Sequence, residues 1–332
     1  MSISPRIHSL FALSIAWLAA CGDAPPAPDA PPSTIPTSPA GAFTMTSAIE
    51  IAVPAAAAPV LATLVAATDG PDDPARYLLD RVIATLPDGT IKTIAATAVP
   101  YVAAYVNARL DDVAPRFVAG IDALASGLSR IATHLGTTET LQIDASGAAL
   151  RTITGARFEL GGVPVAVRFG DAGLPDIATP LQVSLDATGQ LALGDHTHAL
   201  PYGALLQLGL DRAVVGSVVP GAHDLAAALT ELVDCDQLGA AIADRVGLGS
   251  ATPYRAACRT AMIAVASEVY AGIAAIDQVP LGLEVTGTAV AYDRDGDGTM
   301  DELHQGRWTG VVGTAALRAP ISAASFTGTA AP

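Results

Sequence analysis

Apolar and polar residues alternate with a period of two in three blocks of the chain, and apolar residues at helical spacing fill the stretches between. In the first block Met45, Ser47, Ile49, Ile51 and Val53 alternate with smaller or polar neighbours, which predicts an opening strand over residues 43–53, ended by Pro54. A helical region follows. Asp73 is placed to cap a helix starting at Pro74, where a missing N–H costs nothing, and Leu78, Leu79, Val82, Ile83 and Leu86 recur on one face until Pro87-Asp88-Gly89 stops it. Residues 93–108 carry no charge but include Pro100 and are short for a bilayer span of about 20 residues, so a buried helix is expected. Val113, Phe117, Ile121, Leu124, Leu128 and Ile131 form the next stripe, and His134-Leu135-Gly136 reads as its ending.

The middle block returns to a period of two. Leu141 and Ile143, Phe158 and Leu160, then Val163, Val165, Val167 and Phe169 keep one parity, and Leu181, Val183 and Leu185 lead through the turn Ala187-Thr188-Gly189 into Leu191 and Leu193. These are antiparallel strands with one buried face. Helical periodicity then covers residues 202–219, 224–246 and 252–276, with Asp224 as a cap. Strands resume at Leu283 and Val285, and continue after an acidic turn at residues 308–312 and 325–329. Blocks of strands and helices, rather than alternating units, predict an α+β fold: antiparallel strands packed against a largely helical layer, with C-terminal strands around an acidic turn. The body spans residues 42–332, either as one domain or as a mainly helical 42–136 and a mixed 137–332.

The N-terminus has its own signature. Arg6 and His8 precede an apolar run over residues 10–18, and Leu18-Ala19-Ala20-Cys21 resembles the lipobox of bacterial lipoproteins. That resemblance implies a signal peptide over residues 1–20, cleavage before Cys21, acyl chains on Cys21, and a lipid-anchored protein of the cell envelope. Gly22, rather than Asp, after the cysteine favours the outer membrane. Residues 22–41 hold seven prolines and almost no large apolar side chain, which suits an extended polyproline tether.

Charge narrows the partners. The net charge of −15 comes from 32 acidic against 17 basic residues, and Lys92 is the only lysine, which excludes a nucleic-acid backbone and argues against docking on anionic head groups. Membrane contact is left to the acyl chains. Hydrophobic residues make up 51% of the chain but aromatics 5%, so the core must be filled by Ala, Val, Leu and Ile, which suggests thin contacts and an incompletely filled interior.

Four groups of residues carry candidate chemistry. Once Cys21 is given to lipid, Cys235 and Cys258 remain as an even pair, and a disulfide is more economical than a metal held by two thiols without a neighbouring His. Asp293, Asp295, Asp297 and Asp301 fall at positions 1, 3, 5 and 9 of a loop with Gly298 at position 6, a pattern that converges oxygen ligands on a hard cation. The loop resembles those of EF-hands, dockerins and thrombospondin-type calcium repeats, which implies calcium as a structural cofactor with Thr299 giving its carbonyl. It departs from the EF-hand at position 12, where His304 stands, and an acidic hairpin turn without metal is the alternative. His196 and His198 share a strand face, yet no further zinc ligand is signposted, so a polar strand end is preferred. His223 adjoins the Asp224 cap.

Gly-x-Ser-x-Gly, His-Glu-x-x-His, Walker and Ser-x-x-Lys motifs are all missing from the chain, so no catalytic residue is assigned and a non-enzyme is favoured. The expected function is that of an envelope lipoprotein binding a lipid or other apolar molecule in a groove between strands 141–193 and helices 202–276. The alternative is a structural or interaction scaffold stiffened by the disulfide and calcium, and an enzyme with an unsignposted site comes third.

Overall fold

A computed structural model describes residues 34–53, 57–65, 74–108, 116–160, 162–247, 250–279, 281–314 and 318–331. The lipobox, Cys21, Pro54, the Asp73 cap and Val113 lie outside the described residues.

The period-two blocks form strands whose inward parity is buried almost throughout. They are β1 (Gly41–Glu50), β2 (His134–Ile143), β3 (Ala148–Leu160), β4 (Val163–Arg168), β5 (Ile177–Leu185), β6 (Gln190–Leu200), β7 (Leu281–Tyr292), β8 (Glu302–Gly313), β9 (Arg318–Pro320) and β10 (Ala323–Ala330). Every pairing between them is antiparallel. The order β1-β2-β3-β5-β6-β7-β8-β10 returns to β1, so the sheet closes as an eight-stranded barrel, with β4 added on β3 and β9 on β8.

Closure overturns the expected sheet packed against a helical layer. The last strand, β10, lies between the first and the eighth: Phe43 to Glu50 pair with Ala330 to Ala323, and Ser325 and Phe326 pair with Arg307 and Gly306. A sheet closed on itself has no edges to protect, and most of its inner face packs across the barrel on the opposite wall, with helices meeting it only at one end.

The helices occupy two strand connections. Between β1 and β2 run α1 (Ala58–Val65), α2 (Pro74–Ala84), α3 (Thr90–Asn107) and α4 (Phe117–Thr133). Between β6 and β7 run α5 (Tyr202–Gly209), α6 (Leu225–Leu232), α7 (Cys235–Val246) and α8 (Thr252–Ile276). Glu50 pairs with His134 and Leu200 with Leu281, and the alternating strand directions put both excursions at the same end of the barrel. There α8 touches α1, α2, α5, α6 and α7, which joins the two excursions into one helical body. The ends of the second excursion are tied together, because the Asp277 carboxylate after α8 accepts from the backbone N–H groups of Gly203 and Ala204 in the first turn of α5, at 2.7 and 2.8 Å.

Local departures from the sequence reading have local causes. Residues 224–246 form two helices, because Asp234 caps α7 by accepting from Asp236 and Gln237, as Asp224 caps α6 through Ala227. The helix after Tyr202 passes through a π-helical segment, Leu210–Val215, before a last turn, Gly216–Val218. Gly136 does not end a helix: α4 ends at Thr133, β2 begins at once, and a Cβ on Gly136 would lie 2.4 Å from the Arg157 carbonyl oxygen.

The opposite end of the barrel carries tight turns built alike. Asp144 Oδ1 accepts from the Ser146 N–H and hydroxyl and from the Ala148 N–H, and Asp186 Oδ1 does the same with Thr188 and Gln190. Gly147 and Gly189 follow at φ 82° and 81°, where a Cβ would be strained. The acidic loop between β7 and β8 lies at this end.

Candidate functional site

In the acidic loop one ligand atom from each of Asp293, Asp295 and Asp297 lies within 4.8 Å of the others, so this trio could hold a metal ion. Asp293 is buried and organises the loop: its Oδ1 accepts from Gly296 N–H at 2.7 Å, and its Oδ2 from Gly298 N–H at 2.9 Å and from the Thr34 hydroxyl at 2.8 Å. Burial alone would raise its pKa, but these hydrogen bonds outweigh it and hold the carboxyl below its ordinary range. Thr299 and Asp301, the other two expected ligands, serve the loop differently. Thr299 donates its N–H and hydroxyl to Asp297, and Asp301 Oδ2 accepts from the Arg294 N–H at 2.7 Å. His304, at position 12, pairs with Glu302 at 2.7 Å.

Cys235 on α7 and Cys258 on α8 are joined by a disulfide with Cα atoms 5.6 Å apart. The bridge pins α7 to α8 inside the helical body.

The largest concentration of polar chemistry was not foreseen as a site. Glu139 on β2 and Arg151 on β3 point into the barrel with no exposed side-chain surface. Arg151 donates Nε to Glu139 Oε2 at 2.6 Å and Nη2 to Oε1 at 2.8 Å, a bidentate pair. Its third arm, Nη1, reaches His196 Nε2 at 2.8 Å, and the guanidinium lies 4.0 Å from the centre of the Trp308 ring. The Thr137 hydroxyl donates to Glu139, and Trp308 Nε1 donates to the Ser47 hydroxyl at 3.1 Å. Five strands, β1, β2, β3, β6 and β8, therefore contribute to one network.

Geometry fixes the protonation of His196. An Arg can only donate, so Nε2 must accept, and Nδ1 then carries the hydrogen that it gives to the Gly194 carbonyl at 2.8 Å. Burial and the neighbouring Arg151 cation lower its pKa, against the Gly194 bond and the carboxylates of Glu139 and Asp195. His198, with no exposed surface, meets the Thr179 hydroxyl at 2.8 Å through Nδ1 while Nε2 has no partner. Its burial, then Arg151 and His196, push it down to about 3, so it is neutral at ordinary pH. For Glu139 burial acts upwards, but the Arg151 charge and the bonds from Arg151, Thr137 and Ser47 keep its carboxyl below the usual range.

The sequence held a signal for this network. Glu139 shares the parity of Leu141 and Ile143, and Arg151 that of Ala149 and Ile153, so opposite charges sat at inward positions of one hairpin. His196 and His198 share a face, but they lie buried within β6 rather than at a polar strand end or loop, and that face is the barrel interior.

Two shallow depressions of about 440 and 200 Å³ adjoin on the outer wall over β6, β7 and β8, sharing Thr197, Glu284 and Val311. Both are open; the larger is mainly polar, with Asp195, Thr286 and Thr309, and the smaller is mainly apolar, with the Arg318–Glu284 ion pair, at 2.7 Å, beside it. No protein-family model matches the chain, and no curated protein and no solved structure matches it.

Proposed function

We propose that the chain is a non-enzymatic, lipid-anchored protein of the bacterial cell envelope, in the outer membrane, whose barrel is a rigid scaffold for contact with another envelope component. One observation carries the choice of scaffold over carrier: the Arg151 guanidinium crosses the barrel interior between Glu139, His196 and Trp308. Space for an apolar ligand of several hundred Å³ would have to be cleared of a buried ion pair, which is a costly way to build a lipid pocket. The junction where a groove was expected argues in the same direction. An added Cβ on Gly209 would meet Ile131 and Phe158 at 2.7 Å, so helix and barrel are in close contact there.

Calcium is the cation proposed for the acidic loop. Hard oxygen ligands with no nitrogen or sulfur suit it, and the backbone carbonyl of Thr299 and a carboxylate oxygen of Asp301 would add to the trio. Its role is to stiffen the turn end of the barrel. Titration of the body from residue 34 onward with a nonpolar fluorescent probe tests the scaffold reading. Unsaturable, weak uptake is expected; saturable binding displaced by phospholipid would replace the scaffold with a carrier.

A further inference from the structure

The segment that enters the barrel from the N-terminal side does not approach β1 freely. Thr34 and Asp293 exchange backbone hydrogen bonds at 2.8 and 3.1 Å, and the Thr34 hydroxyl adds a third bond to the Asp293 carboxylate at 2.8 Å. Three residues on, Thr37 and Ser38 N–H both donate to the Gly298 carbonyl at 2.9 and 3.1 Å, and the Thr37 hydroxyl donates to it at 3.2 Å. Ile35 lies over the β5–β6 turn, 3.4 Å from where a Cβ on Gly189 would stand. This clasp fixes the point at which the chain leaves the body, and the point is the turn end, opposite the helices.

We propose that the turn end is the face directed at the membrane and that the helical body is presented away from it. The inference rests on the anchor at Cys21 argued above. Thirteen residue steps separate Cys21 from Thr34. They reach at most about 45 Å. Strands of 10 to 12 residues make the barrel wall. At ordinary tilt the barrel is about 28 Å tall, and one helical layer adds about 10 Å. Bringing the helical end to the same bilayer would therefore use nearly the whole reach, in a fully stretched chain, whereas the turn end needs none of it. The carboxylates there, among them Asp144, Asp186, Asp295 and Asp297, repel anionic head groups only within about 8 Å at physiological ionic strength, a distance the tether clears.

Energy transfer from single-site labels to a head-group acceptor reads the orientation directly. The full lipidated chain, with its disulfide intact, would be labelled at Ser146→Cys in the β2–β3 turn or at Tyr101→Cys, which is 72% exposed on α3. It would be placed on vesicles of phosphatidylethanolamine and phosphatidylglycerol. The Ser146 site should transfer about twofold or more better, given a separation of some 28 Å along the barrel. Thr34→Pro with Thr37→Pro removes four of the six clasp bonds and should shrink that contrast, because the tether then lengthens towards β1. Equal or reversed transfer in a chain that floats with the vesicles overturns the orientation alone, as does a contrast that survives opening the clasp. A chain that fails to float, or lacks acyl mass, removes the anchor reading and this one with it.

Discussion

Glu139→Gln is the most informative single substitution, because it keeps the volume of the side chain and removes only its charge. In the native barrel the carboxylate holds Arg151 through two bonds of 2.6 and 2.8 Å, with neither side chain exposed. The variant leaves the guanidinium buried without a counter-charge, and breaking one side of such a pair costs about 3–5 kcal/mol. A Coulomb term of about 4 kcal/mol, for unit charges 4 Å apart at an effective dielectric constant of 20, gives the same scale. That is a large share of the 5–15 kcal/mol typical of a domain. Arg151→Met should cost a similar amount by stranding Glu139, and the double variant should cost less than the two together by about 2 kcal/mol or more. Urea unfolding followed by tryptophan fluorescence is a suitable assay. Of the two tryptophans, Trp17 falls in the expected signal peptide, so a chain beginning at residue 34 reports only on Trp308, which stacks on Arg151. Single variants costing under about 1 kcal/mol, or additive effects, would refute the idea that this pair organises the interior.

Stability should also fall on the acid side. His198 is held at about 3 in the folded chain against an ordinary 6.5, so the unfolded chain takes the proton first. Its contribution is intact above pH 6.5 and is lost progressively below, by about 2 kcal/mol at pH 5, and His198→Gln should flatten the slope of unfolding free energy against pH. Calcium should raise the melting temperature in proportion to the logarithm of its free concentration, with Asp295→Ala abolishing the shift; identical melting in calcium and in chelator would leave the acidic-turn reading. Reducing Cys235–Cys258, which closes a loop across a sequence separation of 23, should cost about 3 kcal/mol while circular dichroism keeps its helical signal.

Much of the local structure was legible in the sequence, since parity and helical spacing are short-range signals. The opening strand, the hairpin through Ala187-Thr188-Gly189, the helix over residues 252–276 and the cysteine pair all follow from neighbours within a few turns. Closure was not legible, because it depends on β10 meeting β1 across more than 270 positions, and an inward-facing strand has the same pattern in a barrel as in an open sheet. The three-aspartate cluster was visible because its spacing is local. The Arg151–Glu139–His196 network was overlooked for a different reason. Charged residues on a strand are normally read as its solvent side, and only the parity shared with Leu141 and Ile153 shows that these two face inward.

Native mass spectrometry of the protein taken from its own envelope tests the scaffold reading most directly. A filled barrel on a lipid anchor should give the mass of the chain from Cys21 onward plus its covalent acyl groups, with calcium removable by chelator and no further lipid in fixed proportion. One phospholipid or fatty acid retained per chain, released only on unfolding, would contradict the account, since the Arg151 network would then have to open to admit it.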